Sequence, residues 1–142
     1  LNGSNYFGYP PAPANWVQPG KRMLSSMPPT VVTRDERLLL ALGGSGGSRI
    51  ISAVAQVLLD VLLHNASLAH AIPRARLHHQ LIPNVLHHEP GYDQRVLRAL
   101  VQRGHHVSAE VLSANVQAVR VHDDNTLEAF SDPRKRGAPA GY

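Results

Sequence analysis

The sequence contains no cysteine, few aromatic residues and no long apolar run. The lack of cysteine does not separate a reducing from an oxidising compartment, because cysteine-free chains occur in both. Aromatic residues make up 5% of the chain, which leaves few side chains on which nucleic-acid bases could stack. No stretch approaches the roughly 18 consecutive apolar residues that a membrane helix needs. The first residues also lack the pattern of a secretory signal peptide.

The composition is that of a globular domain. Hydrophobic residues make up 43% of the 142 residues and charged residues 17%, which is too apolar and too weakly charged for a disordered chain. The formal net charge is +4, but the basic residues are scattered and cluster only at residues 134–136. A nucleic-acid surface needs a basic stripe with interleaved aromatic side chains. We therefore expect no nucleic-acid partner.

Residues 1–29 show no periodicity and are rich in proline, glycine, asparagine and serine. This composition predicts an irregular loop rather than a helix or strand. The loop carries four aromatic residues, which indicates that it packs against the rest of the protein. These residues are Tyr6, Phe7, Tyr9 and Trp16.

Residues 30–142 predict alternating blocks of strands and helices. A nearly continuous apolar run at 37–43 is typical of a strand covered on both faces, and the apolar spacing from 50 to 62 is typical of a helix. The predicted strands are 30–33, 37–43, 84–88, 111–121 and 126–131, and the predicted helices are 48–63, 67–72 and 93–103. Ser48 and Asp93 are the expected N-caps. The order predicts an α+β fold with helices on a mostly antiparallel sheet.

The glycine-rich stretch at 43–48 follows the apolar strand and precedes the first helix. It matches neither a phosphate-binding P-loop nor the dinucleotide-binding glycine pattern. At a helix N-terminus, glycines let backbone amides turn towards a ligand, where the helix dipole favours negative charge. A Gly-Gly pair there could hold an anion or the oxyanion of an acyl-transfer reaction, and a plain tight turn is an equal alternative.

Ser25 and Ser26 form a second candidate. Adjacent hydroxyl residues most often belong to turns or caps, but as a pair they could donate hydrogen bonds to a carboxylate. No G-x-S-x-G motif surrounds them, which argues against a serine nucleophile.

The other polar residues give weaker signals. The histidines occur mostly as adjacent pairs, whose side chains diverge on both helices and strands, so we expect no metal site. Arg74 and Arg76 have no obvious partner, and residues 131–142 have the composition of a solvated basic tail. Asn2 and Asn65 each begin an N-glycosylation triplet, which slightly favours an extracellular protein.

Four motifs in fixed order resemble the C-terminal part of the gamma-glutamyltransferases, also called gamma-glutamyl transpeptidases. The motifs are "PGKRMLSSMPPT", "GGSGGSRI", "RLHHQLIPN" and "SDPRKRGAPAGY", and the resemblance extends over almost the whole chain. The double-serine and terminal motifs are the specific ones. The loop before the first motif is most similar to that of animal members.

The resemblance implies an N-terminal-nucleophile hydrolase with an αββα sandwich. In that family a precursor cleaves itself, and a new N-terminal threonine attacks the gamma-glutamyl amide of glutathione. The acyl-enzyme then transfers the glutamyl group to water, an amino acid or a dipeptide. By alignment, Ser25 and Ser26 take the place of the serines that bind the α-carboxylate of the donor, and Gly46 and Gly47 that of the oxyanion-hole glycines. No cofactor or metal is implied.

The same resemblance implies that residues 1–142 are a C-terminal fragment of the catalytic domain. The threonine and the residues that bind the substrate amine would lie upstream, on a segment that includes the large subunit of the same precursor. We expect the fragment to be inactive alone, and the parent protein to lie outside the cell, secreted or on the plasma membrane. The departures at Met23, Ser45 and Ala75 leave an alternative open, which is a non-catalytic binding or structural member of the same fold.

Overall fold

The computed structural model describes residues 3–141 and contains two sheets and three helices. The strands are β1 (Thr30–Arg34), β2 (Arg37–Ser45), β3 (Leu77–His78), β4 (Leu86–His88), β5 (Val107–Ala109), β6 (Asn115–Val121) and β7 (Leu127–Ser131). The helices are α1 (Arg49–Leu63), α2 (Leu68–Ala71) and α3 (Gln94–Gln102), with short 3-10 turns at Pro13–Asn15 and Pro133–Lys135. The predicted α+β class is confirmed.

The main sheet is antiparallel and has the strand order β1-β2-β6-β7. Asp35 and Glu36 join β1 to β2 with φ values of 49° and 62°, the left-handed conformation of a tight two-residue hairpin turn. The predicted hairpin is therefore confirmed, although β2 runs on to Ser45. This extension carries the strand directly into the glycine turn.

Helix α1 packs on one face of the main sheet and forms the core with it. Its buried residues recur at the spacing of one helical face and meet the alternate residues of β2 and β6. The helix contributes Ile50, Ala53, Val54, Val57 and Val61, and the sheet contributes Leu40, Leu42, Val116 and Ala118. Burial of each large apolar side chain contributes about 1.5–3 kcal/mol, so this contact fixes the end of α1 that begins at the glycine turn.

The opposite face of the main sheet, called here the outer sheet face, is also apolar. The strand register aligns Val31, Ala41, Val119 and Ala129 in one row across all four strands. Val31 remains 68% exposed and Val119 40% exposed. No helix among residues 3–141 packs on this row, although Pro139 and Ala140 lie beside it.

The second sheet has the order β3-β4-β5, and β4 and β5 run parallel. The sequence predicted β4 but neither β3 nor β5, since both strands are only two or three residues long. The predicted strand at 111–121 is wrong at its start, because its first four residues precede β6. Their apolar alternation arises because Leu112 and Ala114 point into the protein without ladder pairing.

Helix α3 lies against β5 rather than on the main sheet. The Asp93 carboxylate accepts a 2.8 Å hydrogen bond from Arg95 N, which confirms the predicted N-cap. Hydrogen bonds from Arg95 lower the pKa of Asp93 to about 2. Leu97 is the residue of α3 that is buried, so this helix is held by a small contact.

A buried ion network joins the second sheet to the C-terminal segment. Arg76 Nη2 lies 2.9 Å from Asp132 Oδ2, and Arg134 Nη2 lies 2.5 Å from Glu89 Oε2. Arg76 is 3% exposed and Asp132 0%. The expectation that Arg76 has no partner is therefore wrong, and so is the one for Arg74, which pairs with Asp60 at 2.6 Å. The expectation of a solvated tail over residues 131–142 is wrong for Asp132 and Arg134, whereas residues 135–141 are exposed as predicted. The partners are distant in sequence, and only the fold brings them together.

Hydrogen bonds keep Asp132 ionised inside this network. Burial alone would raise the pKa of this carboxyl group, but hydrogen bonds from Val116 N, Arg134 N and Arg76 bring the pKa below its ordinary value. Desolvation lowers the pKa of Arg76, and its bond to Asp132 opposes that effect. A buried charge that is paired and hydrogen-bonded in this way is tolerated in a protein interior.

Among residues 3–141, no helix has the length and apolar character needed to cross a membrane.

Candidate active site

The glycine turn between β2 and α1 has a backbone that only glycine adopts easily. Gly46 has a φ of 135° and Gly47 a φ of 63°. A Cβ atom on Gly46 would lie 2.6 Å from Ala114 Cα, and one on Gly47 would lie 2.8 Å from the Phe7 ring. Such close approaches exclude larger residues. The turn therefore places two peptide groups, with no side chains to cover them, at the N-terminus of α1. The helix dipole gives this end of the helix a partial positive charge.

A polar cavity of about 480 Å³ opens at this turn. Gly46, Gly47 and Ser48 form one wall. The remaining lining residues include Tyr6, Phe7, Arg49, His78, Gln80, Pro83, His87, Glu110 and Ser113. The predicted oxyanion glycines are thus surrounded by polar side chains from the start of α1, from the second sheet and from the loops beside it, and by the aromatic side chains of the N-terminal loop.

Gln80 ties the N-terminal loop to the glycine turn. Its Oε1 accepts a 2.8 Å hydrogen bond from Ser48 Oγ, and its Nε2 donates a 2.7 Å bond to Phe7 O. The Tyr9 hydroxyl donates to Gln80 O at 2.6 Å. Packing of this loop is confirmed for Phe7 and Tyr9. It is wrong for Tyr6 and Trp16, which are 96% and 51% exposed, although the Tyr6 ring meets the edge of Phe7.

Ser48 occupies the predicted N-cap position of α1 but does not cap the helix with its side chain. Its backbone is already helical, with φ of −60° and ψ of −23°, and its hydroxyl bonds to Gln80 instead. The capping role of this side chain is therefore a wrong prediction. The Ser48 hydroxyl could bond either to a backbone N–H of α1 or to a neighbouring side chain. In the folded protein it bonds to Gln80, which lies in the cavity wall.

His78 is the most deeply placed histidine of the cavity. It is 4% exposed, its Nδ1 lies 2.8 Å from Ser52 Oγ and its Nε2 lies 3.0 Å from Gln80 Oε1. Burial lowers the pKa of His78 below its ordinary value. A neutral ring that hydrogen-bonds both neighbours fits the structural role expected for the histidine pairs.

A charged cluster forms another part of the cavity lining. Arg49, at the start of α1, makes an ion pair with Glu110. The second oxygen of the Glu110 carboxylate lies 2.8 Å from His87 Nδ1. The cavity lining thus combines the uncharged peptide groups of the glycine turn with three ionisable side chains.

Ser25 and Ser26 lie in the extended segment that leads into β1. The side chain of Ser25 is exposed, and its Oγ accepts a 3.2 Å hydrogen bond from Met27 N. Ser26 is half-buried. Neither serine lines the cavity at the glycine turn. Their role as the carboxylate-binding pair therefore remains a prediction that these contacts do not test.

Of the two asparagines that begin glycosylation triplets, the structure describes one. Asn2 lies outside the described residues. Asn65 follows α1 with a φ of 50°, is exposed, and accepts a 3.0 Å hydrogen bond on Oδ1 from Arg120. That bond uses the oxygen of the amide and not Nδ2, the atom that would carry a glycan.

In residues 3–141, no group of three histidine or carboxylate side chains is arranged to hold a metal ion.

Two features of the site were missed from the sequence. Glu110 gave no signal, because it acts through partners distant in the chain. Gln80 falls inside the motif "RLHHQLIPN", but its contacts with Ser48 and Phe7 are equally distant in the chain and no local pattern indicated them. The buried Arg76–Asp132 pair did carry a signal, since both residues fall inside motifs that support the family resemblance. Their presence in those motifs could have indicated that the two segments meet.

Comparison with known proteins gives consistent results. The family model described as Gamma-glutamyltranspeptidase matches residues 1–142. The "Glutathione hydrolase proenzyme" of Arthroderma benhamiae is 37% identical over 132 residues, which cover 92% of this chain and 23% of that protein. "Glutathione hydrolase proenzyme 1" of Schizosaccharomyces pombe is 38% identical over 141 residues, covering 97% of this chain and 22% of that protein.

A solved structure extends the likeness to three dimensions. The gamma-glutamyltranspeptidase of Pseudomonas nitroreducens complexed with L-DON superposes with a TM-score of 0.87 at 37% identity. The superposition covers 99% of this chain and 75% of that chain. The chain spans less than a quarter of the length of the two curated relatives above.

Proposed function

This chain belongs to the gamma-glutamyltranspeptidase family, and we propose that its parent protein cleaves the gamma-glutamyl amide of glutathione and related donors. The reaction proceeds through an acyl-enzyme on an upstream threonine, and the glutamyl group passes to water or to an amino acid or dipeptide. This chain supplies part of the donor site and not the nucleophile. It shares the N-terminal-nucleophile sandwich fold of the solved relatives.

The Gly46–Gly47 turn is the observation that carries this proposal. Its two glycines have positive φ values, sit at the N-terminus of α1 and border the polar cavity. In amide cleavage, negative charge develops on the carbonyl oxygen, and preorganised N–H groups stabilise that charge. The loss of one such donor raises the barrier by about 2.7–4 kcal/mol. In this proposal the peptide N–H groups of Gly46 and Gly47 supply that stabilisation.

Ser25 and Ser26 bind the α-carboxylate of the donor in the same proposal. Two neighbouring hydroxyl groups can each donate to one carboxylate oxygen, and hydrogen bonds to a charged partner contribute about 1.5–3 kcal/mol each. The extended backbone before β1 and the exposure of Ser25 are compatible with this role. The role rests on the family motif "LSSM".

The outer sheet face supports a large-subunit partner. The row of Val31, Ala41, Val119 and Ala129 is apolar, and all of it except the half-buried Ala41 is exposed. Sheets bury such faces against a second layer. We assign that layer to the remainder of the precursor. The relatives named as proenzymes agree with a protein made as a precursor.

The proposal is tested in the full-length parent protein with a chromogenic gamma-glutamyl donor. The Ser25→Ala/Ser26→Ala double variant should raise the donor KM by tenfold or more, on the order expected for lost bonds to a carboxylate. Ser108→Ala, at an exposed strand position, is the matched control and should keep the parental KM. An unchanged donor KM in the double variant would refute the carboxylate-binding role.

The same assay decides between the enzyme and a non-catalytic member of the fold. A parent with a Thr-Thr-His processing site should split into two subunits and release the chromophore. A parent that remains a single chain and releases none is a binding or structural protein, and the catalytic proposal is then withdrawn.

An extracellular location, secreted or on the plasma membrane, is a further part of the proposal. It is motivated by the two N-glycosylation triplets and by the exposure of Asn65. Digestion of the native protein with an N-glycosidase should increase its electrophoretic mobility, and Asn65→Gln should remove part of that shift. Identical mobility before and after digestion argues against glycosylation and the location it suggests.

A further inference from the structure

The amide group of Gln80 has one orientation, which the groups around its nitrogen determine. Gln80 Nε2 lies 2.7 Å from Phe7 O and 2.9 Å from Ile82 O. Both of these neighbours are carbonyl oxygens, which only accept hydrogen bonds. The amide nitrogen must therefore point towards them, and Oε1 must point towards Ser48 and His78.

This orientation determines where the neighbouring protons lie. Gln80 Oε1 lies 2.8 Å from Ser48 Oγ and 3.0 Å from His78 Nε2, and an amide oxygen only accepts. The Ser48 hydroxyl therefore donates to Gln80, and His78 carries a proton on Nε2. Burial lowers the pKa of His78 and favours the neutral ring, so His78 Nδ1 accepts the 2.8 Å bond from Ser52 Oγ.

The same amide reaches the glycine turn from two sides. Ser48 directly follows Gly46 and Gly47 in the chain, and its hydroxyl is bound by Gln80. Phe7 O is bound by the other end of the amide, and the Phe7 ring lies 2.8 Å from the place that a Cβ on Gly47 would occupy. The turn therefore lies between two residues, Ser48 and Phe7, that Gln80 holds at once.

We propose that Gln80 is the positioning residue of the glycine turn and sets the direction of the Gly46 and Gly47 N–H groups. This inference rests on the proposed function, in which those N–H groups stabilise the oxyanion. Both N–H bonds of Gln80 go to protein carbonyls, so its effect on the reaction passes through the turn. A misplacement of about 1 Å lowers a catalysed rate by about 10²-fold. Loss of the Gln80 bonds should therefore act on kcat and leave the donor KM unchanged.

The test variant is Gln80→Glu, which keeps the size of the side chain and an oxygen that accepts from Ser48. Its second oxygen replaces the N–H donors and faces the carbonyl oxygens of Phe7 and Ile82, so both of those bonds are lost. In the full-length enzyme with a chromogenic gamma-glutamyl donor, kcat should fall by about 10–10²-fold. The donor KM should stay within about twofold of the parental value.

Gln56 offers a matched control, because it makes the same kind of bonds away from the turn. Its Nε2 donates to Ser52 O at 2.7 Å and to Leu77 O at 2.8 Å. It is half-buried like Gln80 but lies outside the cavity lining. Gln56→Glu should therefore keep kcat within about twofold of the parental value. Equal kcat losses in the two variants, or a parental kcat in Gln80→Glu, overturn the inference.

A milder pair of variants tests the same contact without a buried charge. Ser48→Ala removes one hydrogen bond to Gln80 and should lower kcat by about threefold to tenfold, the effect of one neutral hydrogen bond. Ser48→Thr retains the hydroxyl and should restore most of that loss. A parental kcat in Ser48→Ala, or no recovery in Ser48→Thr, contradicts the positioning role.

Hydrogen exchange separates this inference from the proposed function, because it requires no turnover. The segments to compare by mass spectrometry in the full-length protein are 5–9 and 46–50, which the Gln80 amide joins. Gln80→Glu should speed amide exchange in both segments, and Gln56→Glu in neither. That result supports the positioning of the turn even if the protein transfers no glutamyl group. Parental exchange in Gln80→Glu overturns it even if the protein is an active transferase.

Discussion

Arg76 and Asp132 lie 56 residues apart in the sequence and meet through a 2.9 Å hydrogen bond inside the protein. Arg76 also donates to Ala114 O at 3.0 Å, and Ala114 contacts the space where a Cβ on Gly46 would lie. The ion pair therefore supports the segment that packs against the glycine turn.

Removal of the arginine should destabilise the protein strongly. Arg76→Met leaves Asp132 buried without one of its cationic partners, which lowers the free energy of unfolding by about 3–5 kcal/mol in comparable pairs. Arg95→Gln is the control, because Arg95 is 84% exposed in its pair with Asp93 and exposed pairs contribute little. Urea denaturation should show a large midpoint shift for Arg76→Met and none for Arg95→Gln, and equal shifts would contradict the assigned role.

The ionised state of Asp132 predicts a pH dependence of stability. Its pKa in the folded protein is below the ordinary value of 3.8, so its contribution is complete above about pH 3.8 and is lost as the pH falls through the folded pKa. The difference in unfolding free energy between the parental protein and Asp132→Asn should therefore shrink below pH 3.8. Urea titrations at several pH values measure this difference, and a constant value would contradict the prediction.

Gly46→Ala should damage the site far more than a glycine substitution elsewhere. The new Cβ would lie 2.6 Å from Ala114 Cα, so the turn must move and its amide with it. We expect kcat in the parent enzyme to fall by about 10²–10³-fold, the effect of losing one oxyanion donor. Gly91→Ala is the control, because Gly91 also has positive φ but open space around it. Comparable kcat losses in both variants would show that backbone strain alone is responsible.

Gly47→Ala should be partly rescued by shortening Phe7. The new methyl group would contact the Phe7 ring at 2.8 Å, and a side chain can give way where a backbone cannot. The Gly47→Ala/Phe7→Leu double variant should therefore be more stable than the sum of the two single changes, with a coupling of about 0.5–3 kcal/mol. A double-mutant cycle by thermal or urea unfolding measures this term, and strict additivity would place Phe7 away from the turn.

The sequence identified the local features of this fold well. The β1-β2 hairpin, the helix from Arg49 to Leu63 and the N-cap at Asp93 follow from patterns within a few residues. The glycine turn was located correctly because a strand, two glycines and a helix follow one another. The prediction that the Ser48 side chain caps α1 was wrong, because its hydroxyl bonds to Gln80 rather than to the helix backbone.

The long-range features could not be predicted in the same way. Strands β3 and β5 are too short to show an alternating pattern, and the cavity wall depends on how they pair. Arg76 pairs with Asp132, which lies at the start of a segment whose composition indicates solvent exposure. The positions of Glu110 and His87 relative to the glycine turn are likewise properties of the sheet and not of any motif.

The row of Val31, Ala41, Val119 and Ala129 has a practical consequence for handling this polypeptide. A row of nonpolar side chains that crosses the whole sheet and contacts water favours association between molecules. Expression of residues 1–142 by themselves should therefore yield material that binds hydrophobic dyes and sediments increasingly fast as concentration rises. Co-expression with the preceding part of the precursor should keep the product monodisperse.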